Sequence, residues 1–179
     1  ASYFHLLRRQ AYARPRRPLI VFTPKAMLRL RGATSEVADF TSGKFEPVID
    51  DARVSDKGAI RRVVAVSGKL YYDVIAELDK RAESSNGAKD VAVVRLEQFY
   101  PFPAQDLTRV LDGYPNADLV WAQDEPENQG AWNFVANEFR RLGRTISVSS
   151  RHASASPATG SSKRSAKEQA DLIEKALAV

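Results

Sequence analysis

The sequence predicts an α/β protein: a three-layer α/β/α sandwich built on a five-stranded, mostly parallel sheet. Short continuous apolar runs, the mark of strands buried on both faces, recur along the chain. They alternate with stretches of helical periodicity, the pattern of a parallel sheet covered on either side. The length of 179 residues, with 44% hydrophobic and 27% charged residues, suffices for one ordinary core.

The elements follow in order. The apolar run 18–23, closed by Pro24, reads as the first strand, and residues 25–31 as one or two helical turns ending at Gly32. A polar connection reaches about residue 60, anchored by Phe40, Phe45, Val48 and Ile49. Residues 61–66 form the second strand. Ser67-Gly68 then turns the chain into a helix over 69–84, with Leu70, Val74, Ile75 and Leu78 on its apolar face and Asn86-Gly87 as its stop. The third strand is 91–96. Pro101-Phe102-Pro103 breaks the chain before a helix over 104–111 that ends toward Gly113 and Pro115. Residues 119–122 make the fourth strand, 131–142 a helix and 145–149 the fifth strand. A small-residue segment, 153–160, leads to a last helix whose capping box is Ser165 with Glu168 and whose apolar face holds Ala170, Ile173 and Leu177.

Composition removes several function classes. There is no Cys, hence no disulfide, thiolate metal site or Cys nucleophile, which agrees with a cytoplasmic location. No apolar run approaches the roughly 20 residues of a membrane helix, so no membrane partner is expected. The start lacks the layout of a signal peptide and reads as the middle of something longer. The net charge is +5, and Arg8, Arg9, Arg14, Arg16, Arg17, Lys25, Arg29 and Arg31 crowd the first 35 residues, which hold no acid. Residues 1–17 are therefore expected to be a basic arm continuing from an upstream domain, and 18–179 the folded domain. Packing against a larger protein explains the arm better than nucleic acid, for which no single-strand or helix-turn-helix motif is present.

Candidate chemistry is sparse. Ser67-Gly68-Lys69 sits between strand and helix but lacks the spacing of a phosphate loop, so a tight turn is the better reading. His5 and His152 are too few for a metal site unaided, and no Ser lies in a nucleophile elbow. The richest stretch is Glu125-Pro126-Glu127-Asn128-Gln129-Gly130-Ala131-Trp132. With Glu97-Gln98-Phe99-Tyr100 it falls at the carboxyl edge of the sheet, where open α/β folds carry their working loops. Glu97 and Glu125 are a conceivable acid–base pair. The aromatic residues beside them, Trp132 included, favour an interface built from Glu97, Glu125, Asn128, Gln129, Gly130 and Trp132.

Six ordered motifs together resemble one family. They are Phe4-His5-Leu6-Leu7-Arg8-Arg9-Gln10; residues 17–25; Ser67-Gly68-Lys69-Leu70-Tyr71-Tyr72; residues 94–103; residues 125–132; and residues 153–160. This resembles the C-terminal region of the thiamine-diphosphate-dependent, decarboxylating component of 2-oxoglutarate dehydrogenase, with the 2-oxoadipate enzyme as nearest confounder and a stand-alone interaction module as the alternative. The resemblance implies a transketolase C-terminal-like sheet of order 1-3-2-4-5 with strand one antiparallel. It implies a homodimer of the tricarboxylic acid cycle, cytoplasmic in bacteria or in the mitochondrial matrix of eukaryotes. Its partners would be the upstream thiamine-binding domains and the dihydrolipoyl succinyltransferase component. Thiamine diphosphate and Mg²⁺ would be bound by those upstream domains, so no catalytic, cofactor or metal residue is expected in this region. Some relatives bind acetyl-CoA as an allosteric activator here, and the matching positions are Arg9, Lys44 and Gln98. Ala104, Gln105 and Asp106 replace bases of that pattern. With charged hydrogen bonds contributing about 1.5–3 kcal/mol each, this loss favours a smaller nucleotide over acetyl-CoA.

Overall fold

The computed structural model describes residues 1–83 and 90–179, so the expected helix stop at Asn86-Gly87, and the helix's expected last residue, Ser84, lie outside the described residues. The chain forms two compact units, Ala1–Glu46 and Pro47–Val179. That division falls beyond the expected 17/18 boundary because residues 18–23 do not join the sheet.

In the first unit, helix α1 (Ser2–Tyr12) occupies most of what the sequence suggested was an arm. Two short 3-10 turns, Lys25–Arg29 and Arg31–Ala33, precede helix α2 (Val37–Ser42). His5 is buried, and its Nε2 lies 2.7 Å from the Asp39 carbonyl oxygen; a carbonyl only accepts, so Nε2 carries the proton. Gly43 permits this close approach, since a Cβ there would stand 2.3 Å from the Asp39 carbonyl oxygen. Phe4 meets Phe40 edge to face at 5.6 Å, and the Arg8 guanidinium donates to the Gly43 carbonyl at 3.1 Å.

The second unit is an α/β domain. Its strands are β1 (Val48–Ile49), β2 (Arg62–Val66), β3 (Val91–Leu96), β4 (Asp118–Pro126) and β5 (Ser147–Arg151), in the order β1-β3-β2-β4-β5. All pairs are parallel except β1 with β3. The mixed five-stranded sheet and its order thus agree with expectation, but the identity of strand one does not. It is Val48–Ile49, which the sequence reading took only as loop anchors. The strongly apolar run 18–23 carries no strand.

Alternation along β2 explains the layering. Val63 and Ala65 point into a core shared with Leu107 and Leu111 of helix α4 (Ala104–Leu111) and Val135 and Phe139 of helix α5 (Trp132–Arg141). Val64 and Val66 point to the opposite face, against Leu70, Val74 and Leu78 of helix α3 (Leu70–Glu83) and Leu172, Ala176 and Leu177 of helix α6 (Ser162–Leu177). Two apolar faces one residue out of phase demand helices on both sides.

Several boundaries differ from those read from sequence. β4 runs to Pro126, with a register shift between Ala122 and Pro126 that admits a residue lacking an N–H. β5 begins at Ser147, because its pairing with Val120 sets the register. Ser161, not Ser165, caps α6, accepting the Arg164 N–H at 3.4 Å, while Glu168 pairs instead with Arg164 at 2.7 Å.

β1 is so short that a side chain finishes its work. Continuing its register with β3 places Asp51 opposite Val93, and the buried Asp51 carboxylate accepts the Val93 N–H at 2.8 Å. Arg53 neutralises that carboxylate through bonds of 2.9 and 2.6 Å. We expect Asp51→Ala to lower the unfolding free energy by about 2 kcal/mol, because it orphans a buried donor. Asp51→Asn, whose amide oxygen still accepts, should cost less. Urea unfolding followed by circular dichroism measures both, and equal losses would refute the assignment.

Asp50 accepts the Tyr114 hydroxyl at 2.6 Å and also binds the Lys57 ammonium. Burial pushes the Asp50 carboxyl up, but the bonds from Lys57 and Tyr114 outweigh it, and its pKa is lowered. Burial first and the Asp50 bond second push the Tyr114 phenol well up. A lowered carboxylate contributes stability that is complete above the unfolded value of about 4 and lost as pH falls through the folded one. A raised phenol contributes stability that is complete below about pH 10 and lost as pH rises beyond it. The double change Asp50→Asn with Tyr114→Phe should therefore flatten both limbs of the stability–pH curve, as read from urea midpoints.

Candidate functional site

The carboxyl edge of the sheet gathers the loop that the sequence singled out, and one buried amide organises it. Gln123 projects from β4 and is only 3% exposed. Its Oε1 accepts the Trp121 indole N–H at 3.0 Å and the Trp132 backbone N–H at 2.9 Å. Its Nε2 donates to the carbonyls of Glu125, Pro126 and Gln129 at 3.3, 3.0 and 2.8 Å. Every polar atom of the side chain is thereby used, as a buried amide requires. The carbonyls left over by the chain reversal after β4 gain donors, and α5 is fixed at its first residue. Sequence reading passed over Gln123, which falls just after the expected fourth strand. The available signal was its parity with Trp121, which places a polar group on the core face.

Gly130 closes the same turn with φ +64°, a left-handed conformation, and a Cβ there would lie 2.9 Å from the Glu125 side chain. Asn128 and Gln129 reach across to the 153–160 segment: Asn128 exchanges bonds of 3.0 and 2.9 Å with the Ser154 main chain, and Gln129 donates to the Ser154 carbonyl at 2.8 Å. Trp132 is half-buried and packs on the α4–α5 side of the sheet. Glu125 is exposed. Glu97 is held by Arg95 at 2.8 Å, and Arg95 in turn stacks over Tyr71 with its guanidinium 4.5 Å from the ring centre. Glu97 is therefore engaged as an ion pair, while the amides of the motif brace loops.

A cleft of about 700 Å³ opens beside this cluster, between Lys69, Asp124, Arg151 and the start of α6. Lys69 pairs with Asp73 at 2.5 Å and lies 4.0 Å from Asp124, so the lysine after the Ser67-Gly68 turn is already neutralised. Arg151 donates to Gln169 at 3.0 Å and lies 3.6 Å from Glu168. These partners, 18 residues apart in the case of Arg151 and Gln169, carry no mark in the sequence.

The first unit contains a smaller, basic cleft of about 380 Å³ lined by His5, Arg8, Arg9, Tyr12, Lys44 and Phe45. Arg9 stacks on Phe45 with its guanidinium 4.2 Å from the ring centre. Two of the three expected effector ligands, Arg9 and Lys44, thus line one cleft. Gln98 belongs to the second unit, in the turn after β3, where its Nε2 donates to the Pro101 carbonyl at 2.7 Å. His5, which the sequence offered only as a failed metal ligand, forms part of the cleft wall.

Comparison with known proteins now assigns the family. The family model described as 2-oxoglutarate dehydrogenase C-terminal matches residues 34–177. The chain belongs to this family. It is 43% identical over 182 residues to the 2-oxoglutarate dehydrogenase E1 component of Cupriavidus necator, a match covering 99% of the chain and 19% of that protein. It is 44% identical over 181 residues to the 2-oxoglutarate dehydrogenase E1/E2 component of Corynebacterium glutamicum, covering 98% of the chain and 14% of that protein. A multifunctional 2-oxoglutarate metabolism enzyme of Mycobacterium sp. (strain JLS) is 40% identical over 191 residues, covering 99% and 14%. This member of the 2-oxoglutarate dehydrogenase C-terminal family therefore spans a fifth or less of the length of these relatives.

Gln123→Glu should loosen the loop selectively. It removes both N–H donors and sets a carboxylate oxygen against three carbonyls, at an expected loss of about 2–3 kcal/mol. Amide exchange across residues 127–132 should accelerate more than exchange in β2. A uniform acceleration would show that the amide has no local role.

Proposed function

We propose that this chain is the C-terminal, non-catalytic domain of a decarboxylating 2-oxoglutarate dehydrogenase component of the tricarboxylic acid cycle. The observation that carries the reading is the end-to-end similarity, 98% or more of the chain at 40–44% identity, to proteins named for 2-oxoglutarate metabolism. The full enzyme would decarboxylate 2-oxoglutarate and transfer the succinyl group to the lipoyl carrier of the succinyltransferase component, as a cytoplasmic homodimer. The second unit would be its transketolase C-terminal-like layer, a three-layer α/β/α sandwich.

The geometry supports a supporting role. Of the two carboxyl-edge acids, Glu97 is held in an ion pair by Arg95, and the amides beside them, Gln123 and Asn128, brace the loops. Among the described residues no group of three His, Asp or Glu side chains converges as a divalent ion demands. These residues do not fit thiamine diphosphate with Mg²⁺, which upstream domains would hold, and no catalytic step is assigned to them. The exposed loop residues Glu125 and Asn128 would instead face the rest of the dimer. The cleft holding Arg9 and Lys44 suits an anionic effector, because a guanidinium and an ammonium converge on it. We propose a nucleotide there.

Carbon dioxide release from 2-oxoglutarate, with thiamine diphosphate and Mg²⁺ supplied, tests the main reading. The 179-residue chain should be inactive and the full-length polypeptide carrying it active; turnover by the isolated chain would overturn the proposal. Calorimetric titration of the full-length enzyme with AMP should give heat that Arg9→Ala with Lys44→Ala abolishes. Absence of heat with both AMP and acetyl-CoA would remove the effector site and leave the rest intact.

A further inference from the structure

Residues 19–23 are the part of the first unit least suited to water. Ile20 is 77% and Phe22 93% exposed, while Leu19 and Val21 stand at 37% and 40%. The exposure alternates with the period of a strand, and neither side is covered. Among the described residues, no main-chain N–H or C=O of 19–23 has a main-chain hydrogen-bond partner. Single exposed apolar residues are ordinary. A consecutive run of β-branched and aromatic residues with an unpaired backbone is a strand without its sheet.

We propose that residues 19–23 form a β-strand that completes a sheet in the preceding region of the same polypeptide, paired there along its edge through main-chain hydrogen bonds. Apolar side chains on both faces suit a sheet covered by helices on both sides, so the accepting sheet is itself of the α/β kind. Pro18 and Pro24 bound the run and limit the ladder to the residues between them. Leu28, 72% exposed in the turn that follows, adds an apolar anchor. Lys25 and Arg29 beside it call for an acidic rim on the accepting surface.

The similarity data point to the same occupant. The family model begins at residue 34, whereas the match to the Cupriavidus necator protein takes in 99% of the chain. Residues 19–23 are thus largely shared with proteins over five times longer, yet they fall outside the C-terminal family. A segment retained there but unpartnered here belongs structurally with what precedes it. This inference rests on reading the chain as the terminal part of a longer polypeptide; it does not depend on which 2-oxo acid that polypeptide takes.

Hydrogen–deuterium exchange on the full-length polypeptide and on the 179-residue chain tests it. In the isolated chain the amides of 19–23 should exchange near the unfolded rate, and in the full-length protein about a hundred-fold or more slower. Ile20→Asp with Phe22→Asp should lower the melting temperature of the full-length protein and leave that of the isolated chain unchanged. Unprotected amides in the full-length protein would overturn the proposal. So would protection in the isolated chain that rises with its concentration, which would assign the strand to a second copy. Protection without 2-oxoglutarate turnover would leave this inference standing while refuting the proposed activity.

Discussion

The second unit is organised around the complete enclosure of β2. Val63, Val64, Ala65 and Val66 are each 3% exposed or less, and β3 and β4 take up both hydrogen-bonding edges of the strand. A strand closed on both faces and both edges admits one kind of surrounding. Helices must lie above and below, and the chain must cross once to each side. α3 makes the crossover to β3 on one face, and α4 makes the return to β4 on the other. The winding reverses between β2 and β4, and the crevice of an open α/β sheet opens at the carboxyl ends of such a pair. Lys69 after β2 and Asp124 near the end of β4 flank that position. The place of the working loops is therefore a consequence of four small apolar residues.

What occupies that edge is polar but already committed. Gln123 satisfies the carbonyls of its own turn, Asn128 and Gln129 hold the main chain of Ser154, and Arg95 holds Glu97. Reactive sites need groups left partly unsatisfied until a substrate arrives, whereas these spend their bonding capacity within the protein. Bracing of this kind fixes loop shape, and fixed shape is what a contact surface needs.

Much of the sheet could be read directly from the chain. The runs at 61–66 and 91–96 announce buried strands because continuous apolar residues are needed where both faces are covered. The run at 18–23 carries the same mark and is no strand of this sheet, since an apolar run reports the need for burial without naming the sheet that provides it. Val48–Ile49 gave no strand signal, because two residues are too few for periodicity. At the site, the loop of 125–132 stood out by composition, but its organiser did not. A glutamine beside apolar strand residues looks like a strand end, and only the fold shows five polar atoms converging on it. The pairing of Asn128 with Ser154, 26 residues away, is likewise a product of topology alone.

The Asp51 carboxylate has a meaning for how copies of this molecule behave in a crowded solution. The two-residue β1 leaves the opening stretch of β3 uncovered, and an open ladder of that sort is the usual template for runaway association. Here an incoming strand would find an ion pair seated where its own carbonyl should dock. Displacing it would strand a desolvated acid against apolar neighbours. Lateral growth of the sheet is thus barred at that margin by charge.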